Sequence, residues 1–270
     1  MSGTYACLTD AQWNLVEDKI PQEGSSKGGR PAGDVRLFLD CLLWIAKTGS
    51  PWRALQDTVF GNWKTMYSRM RRWEKKDMLR PVFEAFMECG LIDTSVQMAD
   101  GTFNRALKAA AGANKKTSGG QDQQGLGRCK GGFATKIHVI VDANGLPILY
   151  TIDGGQVNDI INAYEVADKI HNCIFLADKA YDCDKLIHQL EEQGCKVIIP
   201  SKKNRKNPRD LDEKEYKKRR HIENFFGRVK EFRRIAIRSD KLKHVYSFFF
   251  ELVSIIMMCR NALKAGIFAI

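Results

Sequence analysis

The stretch Tyr216–Lys230, Y-K-K-R-R-H-I-E-N-F-F-G-R-V-K, constrains this chain more than any other. It has no proline, its one glycine is Gly227, and Asp212 and Glu213 stand ahead of it as first-turn acids. It therefore reads as a helix. At about 100° per residue, with Tyr216 at zero, Arg219 falls near ~300°, Glu223 near ~340° and Lys230 near ~320°. A tyrosine, a carboxylate and two cations share one narrow stripe. Ile222, Phe225, Phe226, Val229 and Phe232 fall on the apolar side of the same wheel. A lone acid is thus set among cations, beside the face that is buried. An isolated charge on a helix is ordinarily a solvated one, so the weight of this pattern depends on what stands elsewhere in the chain.

Charge is the next constraint. The chain of 270 residues carries a net +11, which points to a polyanionic partner. The excess is local: residues 202–243 hold 17 Lys and Arg against 7 Asp and Glu. Residues 93–201 hold 11 against 13 and are slightly acidic. An acidic middle beside a basic segment suits a metal site next to a nucleic-acid face. The eight cysteines form no C-x-x-C pair and no cluster with zinc spacing. They read as reduced thiols of a cytosolic protein. The N-terminus lacks the apolar run of a signal peptide. The apolar run Phe248–Cys259 is interrupted by Glu251 and Ser254, and reads as a buried helix rather than a membrane span.

Two grammars divide the chain. Residues 1–92 read as a small all-α unit. Thr9 and Gln12 form a capping box. Residues 21–33 are a Gly/Pro/Ser loop. Asp34–Lys47 has apolar residues at helical spacing. Thr48-Gly49-Ser50-Pro51 is a break, and Trp63–Lys76 is a helix with Tyr67, Arg69, Arg71, Arg72 and Trp73. Helix, short break and an Arg-rich helix resemble a helix-turn-helix arrangement, against which a plain helical bundle weighs equally. Residues 93–270 read as α/β. A strand ends at Asp100. A polar insert over 104–132 reads as mobile. Phe133–Asp142 and Leu146–Asp153 form a hairpin about Ala143-Asn144-Gly145. Strand and helix then alternate, which predicts a mixed sheet with helices on its faces.

Three acids stand out on this frame. Asp100 and Asp178 each follow a strand, where open sheets place ligands. Glu223 lies on the helix after the last strand. Three hard oxygen donors, with no His or Cys nearby in the pattern, suit Mg²⁺ or Mn²⁺. Two such ions serve in-line phosphoryl displacement. His138 reads as a packed histidine. Asp153 and Asp159, in D-G-G-Q-V-N-D, are candidates for acids that support the site from outside, though turn formation and helix capping explain them more simply. Asp182 reads as a helix cap. No Gly-x4-Gly-Lys-Ser/Thr loop is present, so ATP is not implied.

Four ordered stretches carry a resemblance. They are A-D-G-T-F-N-R-A about Asp100, G-R-C-K-G-G-F-A-T-K-I-H from Gly127 to His138, L-A-D-K-A-Y-D about Asp178, and Y-x2-R-x3-E-x6-K at Tyr216, Arg219, Glu223 and Lys230. The last is followed by R-R-I-A-x-R-x-D-K from Arg233 to Lys241, and L-T-D-A-Q-W, G-R-P and T-G-S-P-W-R-A-L lie in the first 92 residues. Together they resemble bacterial insertion-sequence transposases of the DDE type, in the insertion-sequence-five group. The resemblance implies an RNase H-like mixed-sheet catalytic domain over 93–270, preceded by a helix-turn-helix-like all-α domain over 1–92. It implies that Asp100, Asp178 and Glu223 hold two Mg²⁺ or Mn²⁺ ions and catalyse cleavage and strand transfer. Tyr216, Arg219 and Lys230, with Arg220, Arg233 and Arg234, would hold DNA phosphates. Partners would be the element's terminal inverted repeats and target DNA, bound by a homodimer or higher multimer in the cytoplasm at the nucleoid, with no membrane. The competing reading is a catalytically silent DNA-binding protein, a domesticated transposase or repressor. One departure is Leu107, where the group usually has histidine.

Overall fold

A computed structural model describes residues 7–23, 33–114, 116 and 119–267, without the side chains of residues 121 and 122. Most of the loop expected over 21–33, including G-R-P, lies outside the described residues, as does part of the polar insert. In chain order the larger elements are helices α1 (Asp10–Val16), α2 (Val35–Thr48), α3 (Trp63–Lys75) and α4 (Arg80–Glu88). Strands β1 (Val96–Ala106), β2 (Gly127–Cys129), β3 (Gly132–Val141) and β4 (Pro147–Gly154) follow. Then come helix α5 (Asp159–Ala167), strand β5 (Ile174–Leu176), helix α6 (Asp184–Glu192) and strand β6 (Lys196–Ile198). Helices α7 (Arg220–Lys230) and α8 (Lys243–Ala265) close the chain.

These elements form two compact units, Met1–Leu91 with Val229–Ile270, and Ile92–Arg228. The chain was expected to divide once, at 92/93, with everything after it in one domain. Residues Val229–Ile270 instead group with the N-terminal helices. The cause is α8, whose apolar residues cover most of its circumference. Fifteen of its residues are buried, among them Glu251 and Ser254. It packs on α1, α2, α3 and α4. It is long and apolar enough to cross a membrane, but 83% of its apolar window is buried inside the protein, which is the core helix expected from the sequence.

In the helical unit the local signals hold. Thr9 Oγ1 accepts from the Gln12 N–H at 3.2 Å, and Gln12 Oε1 accepts from the Thr9 N–H at 3.1 Å, closing the capping box at the start of α1. Asp34 caps α2 by accepting from the Leu37 N–H at 3.0 Å. Gly49, at φ 67°, ends α2 in the left-handed conformation that glycine adopts without a Cβ penalty. Phe38 of α2 meets Trp73 of α3 edge-on at 5.0 Å. Arg69 of α3 is buried: its guanidinium pairs with Glu23 at 2.5 Å, donates to the Asp34 and Gly33 carbonyls at 2.9 and 2.8 Å, and lies 4.5 Å over Phe38. Arg71 pairs with Glu74 at 2.7 Å. The exposed cations of this helix are therefore Lys64, Arg72 and Lys75, with Lys76 just beyond it.

The second unit is a mixed sheet in the order β4-β3-β1-β5-β6, with β2 a short extension beside β3. Three antiparallel strands, β4, β3 and β1, are followed across the sheet by β5 and β6 running parallel to β1, which is the RNase H-like arrangement. β3 is buried without a break from Ala134 to Val141, and Asp142 secures the Asn144-Gly145 turn that follows by accepting from the Asn144 and Leu146 N–H groups at 2.9 and 2.7 Å. The polar segment 104–132 was expected to be mobile throughout. It contains regular structure among its described residues: the end of β1, a 3-10 turn at Lys108–Ala111, one helical turn at Gly120–Gln123, and β2.

Candidate active site

The sheet register places two of the acids. β1 and β5 run parallel, with Val96 opposite Ile174 and Met98 opposite Leu176. Two residues further along each strand, Asp100 and Asp178 come level. Asp178 has by then left β5 and caps the 3-10 turn Lys179–Tyr181, its carboxylate accepting from the Ala180 N–H at 2.7 Å. Asp100, expected at a strand end, lies within β1, paired to Val139 of β3. Its opening toward a ligand comes from the end of β5 beside it and not from the end of its own strand. β1 continues to Ala106 because β3 supplies a hydrogen-bonding partner along that whole length.

The third acid comes from the helix. The stretch expected as one helix is broken: a turn at Glu213–Tyr216, capped by Asp212, passes through a 3-10 turn at Lys217–Arg219 into α7. A 3-10 turn winds tighter than an α-helix, so the positions of Tyr216 and Glu223 on one wheel slip relative to each other. Arg219 and Glu223 keep their i,i+4 contact at 2.7 Å. The other Nη of Arg219 donates to Asp100 Oδ2. One guanidinium thus bridges Asp100 and Glu223. The approach of α7 depends on Gly145, at φ 77° in the β3–β4 turn, where a Cβ would stand 3.0 Å from the His221 carbonyl oxygen. Tyr216 lies half-buried beside the group. Burial raises its phenol, Arg219 opposes that, and Asp178, Asp100 and Glu223 add to the rise.

Burial also pushes the Asp100 carboxyl up to about 6, against the pull of Arg219 and the Gly101 N–H; Asp178 and Asp159 push the same way. An acid whose folded value lies above its unfolded one opposes folding once ionised. That opposition appears as pH rises through about 4 to 6 and is complete above it. Asp100→Asn is therefore expected to stabilise the metal-free protein at pH 7.5, on the order of 1–3 kcal/mol, or a few degrees in Tm. The gain should shrink toward pH 4. Thermal melts of both proteins in chelator at the two pH values check this, and a destabilised Asn variant at pH 7.5 would contradict it.

The donor chemistry fits a hard divalent cation. The acids offer only carboxylate oxygens, and Asp100 and Glu223 already share one cationic group, the Arg219 guanidinium, in the place a cation would take. Among the described residues no three His, Cys, Asp or Glu side chains stand close enough to hold one ion. Arg219 links two of the three acids, Asp100 and Glu223, while Asp178 caps its own turn beside them.

The remaining expected phosphate contacts separate. Arg220, Lys230 and Arg233 are exposed. Arg234 is not: it is buried and paired to Asp240 at 2.5 Å, so it has no face for DNA. Leu107 is half exposed and leads into the Lys108–Ala111 turn. His138 is buried, and burial holds its imidazole down at about 4, hence neutral. It lies 5.6 Å from the Tyr181 ring and is a packed side chain, as expected. Asp182, expected to cap the next helix, does not: Cys183 stands at the N-cap of α6, and Asp182 turns to the basic loop. It accepts from the Lys202 N–H at 2.8 Å and from Arg205 and Arg209 at 2.5 and 3.1 Å, and Arg209 also reaches Asp184 at 2.5 Å. Two cations of the basic loop are thereby spent within the protein.

Asp159, weighed from the sequence as a supporting acid but read more simply as a cap, lies beside this place with Lys136 and Tyr181, which the sequence did not single out. Lys136 Nζ pairs with Asp159 Oδ1 at 2.7 Å, and the Tyr181 hydroxyl points at the same oxygen at 3.5 Å. The available signal was D-G-G-Q-V-N-D, whose last acid opens α5.

Two family models match successive parts of the sequence. The family described as "Putative transposase of IS4/5 family" matches residues 8–83, and "Transposase DDE domain" matches residues 92–258. The uncharacterized protein y4sN of Sinorhizobium fredii is 34% identical over 113 residues, 42% of this chain and 86% of that one. A relative from Brucella ovis, described as a "Putative transposase for insertion sequence element IS6501", is 34% identical over 112 residues, 40% of this chain and 85% of that one. The fold is similar to that of the piggyBac transposase in a synaptic complex with hairpin DNA, at TM-score 0.53 and 9% identity, over 95% of this chain and 72% of that one. With the domain match running from just ahead of β1 into α8, the chain belongs to the DDE-domain transposases of insertion sequences.

Proposed function

We propose that this transposase binds the terminal inverted repeats of an insertion sequence and cuts and rejoins DNA there, with Asp100, Asp178 and Glu223 as its acidic centre. The observation that carries this is the register of β1 and β5, which brings Asp100 level with Asp178, together with the Arg219 bridge from Asp100 to Glu223. Those acids would hold two Mg²⁺ or Mn²⁺ ions. Bound there, such ions would activate a water or a 3′-hydroxyl and stabilise the leaving oxygen.

The chain's own residues do the rest. Arg219 has two acceptors to choose between, the carboxylates and an entering phosphate, and its planar fork suits either. Tyr216, held neutral, can donate its hydroxyl proton in a hydrogen bond to a phosphate oxygen. Arg220, Lys230 and Arg233 supply exposed charge for the backbone of the terminal DNA. The helical unit, with Lys64, Arg72, Lys75 and Lys76 along α3 and its end, would bind the repeats. Two element ends brought together call for at least a homodimer working on DNA in the cytoplasm.

The test is a cleavage assay on end-labelled duplexes taken from the two borders of the element that encodes the chain. Strand cleavage leaving a 3′-hydroxyl, dependent on Mg²⁺ or Mn²⁺ and stopped by chelator, is expected. A gel shift with those duplexes but no cleavage with either ion would sink catalysis and leave DNA binding alone.

A further inference from the structure

One carboxylate outside the expected triad touches both aspartate-bearing segments. Asp159 is the first residue of α5, and its Oδ1 stands where a Cβ on Gly101 would be. Gly101 directly follows Asp100. The same Oδ1 faces the Tyr181 hydroxyl at 3.5 Å. Tyr181 ends the 3-10 turn that Asp178 caps, its N–H donating to the Asp178 carbonyl at 3.1 Å. Asp159 is itself held. Lys136 Nζ pairs with it at 2.7 Å and donates to the Val157 carbonyl at 3.0 Å. Lys136 is only 2% exposed, on the strand paired to β1, and lies 4.8 Å over the Phe103 ring. A buried ammonium with one carboxylate partner fixes that partner strongly, because separating them would leave a charge unpaired in a poorly hydrated place.

We propose that Asp159 is a positioning residue, a strut between Gly101 and Tyr181 that sets the separation of Asp100 and Asp178. The inference rests on those two aspartates forming the acidic centre. It also explains why residue 101 is glycine. The backbone there does not take a positive φ, so no conformational demand requires it. What requires it is space: a Cβ would meet Asp159 Oδ1 and come within 2.9 Å of Lys136 Cε. Residues that orient ligands from outside commonly change metal affinity or activity by about 10–100-fold when lost.

The test compares Asp159→Ala, Asp159→Asn, Gly101→Ala and the double variant Gly101→Ala/Asp159→Ala, with Asp178→Asn as control. Each is read by Mn²⁺ affinity in calorimetry without DNA, by cleavage rate and KM for the border duplex, and by Tm. Asp159→Ala and Gly101→Ala should each weaken Mn²⁺ binding and slow cleavage at saturating DNA by about tenfold or more, with KM little changed. Asp159→Asn, which keeps an acceptor for Lys136 and Tyr181, should fall between them and the wild type. The double variant should be no worse than the worse single one, because the methyl then fills space that Asp159 has left. Wild-type Mn²⁺ affinity and rate in Asp159→Ala would overturn the strut, as would losses that multiply in the double variant. If Asp159→Ala does not fold, Asp159→Asn and Gly101→Ala decide by the same criteria. Cleavage that survives Asp178→Asn removes the acidic centre itself, and the Mn²⁺ arm still reads the strut separately.

Discussion

Asp178→Asn is expected to abolish DNA strand cleavage, by about a thousandfold or more, since loss of charge stabilisation worth several kcal/mol acts on the rate at about 1.4 kcal/mol per tenfold. The substitution is clean because of where Asp178 sits. Its structural duty is to accept the Ala180 N–H at 2.7 Å as the cap of a short turn. Asparagine caps equally well. The fold should keep its Tm, and the affinity for border DNA should stay within about threefold, since phosphate binding is carried by cations elsewhere. Asp100→Asn should lose cleavage as fully but gain stability, because its carboxylate is buried. Glu223→Gln should lose cleavage with little effect on Tm, because Glu223 is 61% exposed and its pair with Arg219 lies at the surface. Three acids with one functional phenotype, two with Tm unchanged and one with Tm raised, would be hard to obtain from a shared folding defect. Wild-type cleavage in Asp178→Asn would remove it from the centre. A loss of DNA affinity as large as the loss of rate would make it a binding residue instead.

What the sequence made legible was local. The capping box at Thr9, the left-handed stop at Gly49, the hairpin about Gly145 and the position of Asp178 just past β5 all follow from periodicity and turn chemistry within about ten residues of chain. The Arg219–Glu223 contact is equally local, one helical turn. What was not legible depends on partners far along the chain. Asp100 looked like a strand end because the polar residues after it resemble a loop; β3 holds them in a strand. The tighter turn at Lys217–Arg219 has no marker in a run of good helix formers. Asp159 opens a helix and so looked like a capping acid, yet its carboxylate is drawn away by Lys136, 23 positions earlier in the chain. The amphipathic pattern of α8 said that it is buried but not against which helices. Burial on all sides carries no direction in sequence.

The adjacent pair Arg233 and Arg234 shows the same limit in one dipeptide, and gives the second large expectation. Arg234→Ala should destabilise the protein by about 3–5 kcal/mol, lowering Tm by roughly 10 °C. Arg234 Nε and Nη2 grip the two oxygens of Asp240 at 3.0 and 2.5 Å, and the guanidinium lies 4.7 Å over the Phe249 ring of α8. Trp52 flanks it at 5.7 Å. Both partners of the pair are nearly inaccessible, so truncating Arg234 takes away the group that grips both Asp240 oxygens and leaves the buried carboxylate only the charge of Arg238. Arg234→Lys should also fail in large part, since an ammonium can neither grip two oxygens in parallel nor stack on the ring. Replacing both partners by apolar residues, as Arg234→Met with Asp240→Leu, should recover only part of the loss, because the buried Arg238 then loses the Asp240 charge. Arg233→Ala, one residue away and exposed, should leave Tm within about 1–2 °C. It should weaken border-DNA binding and flatten its salt dependence by about one phosphate contact. Urea and thermal unfolding beside gel shifts at several salt concentrations separate the two residues. An Arg234→Ala protein that melts like wild type but loses DNA would mean that the Asp240 pair is incidental and that Arg234 works on DNA after all.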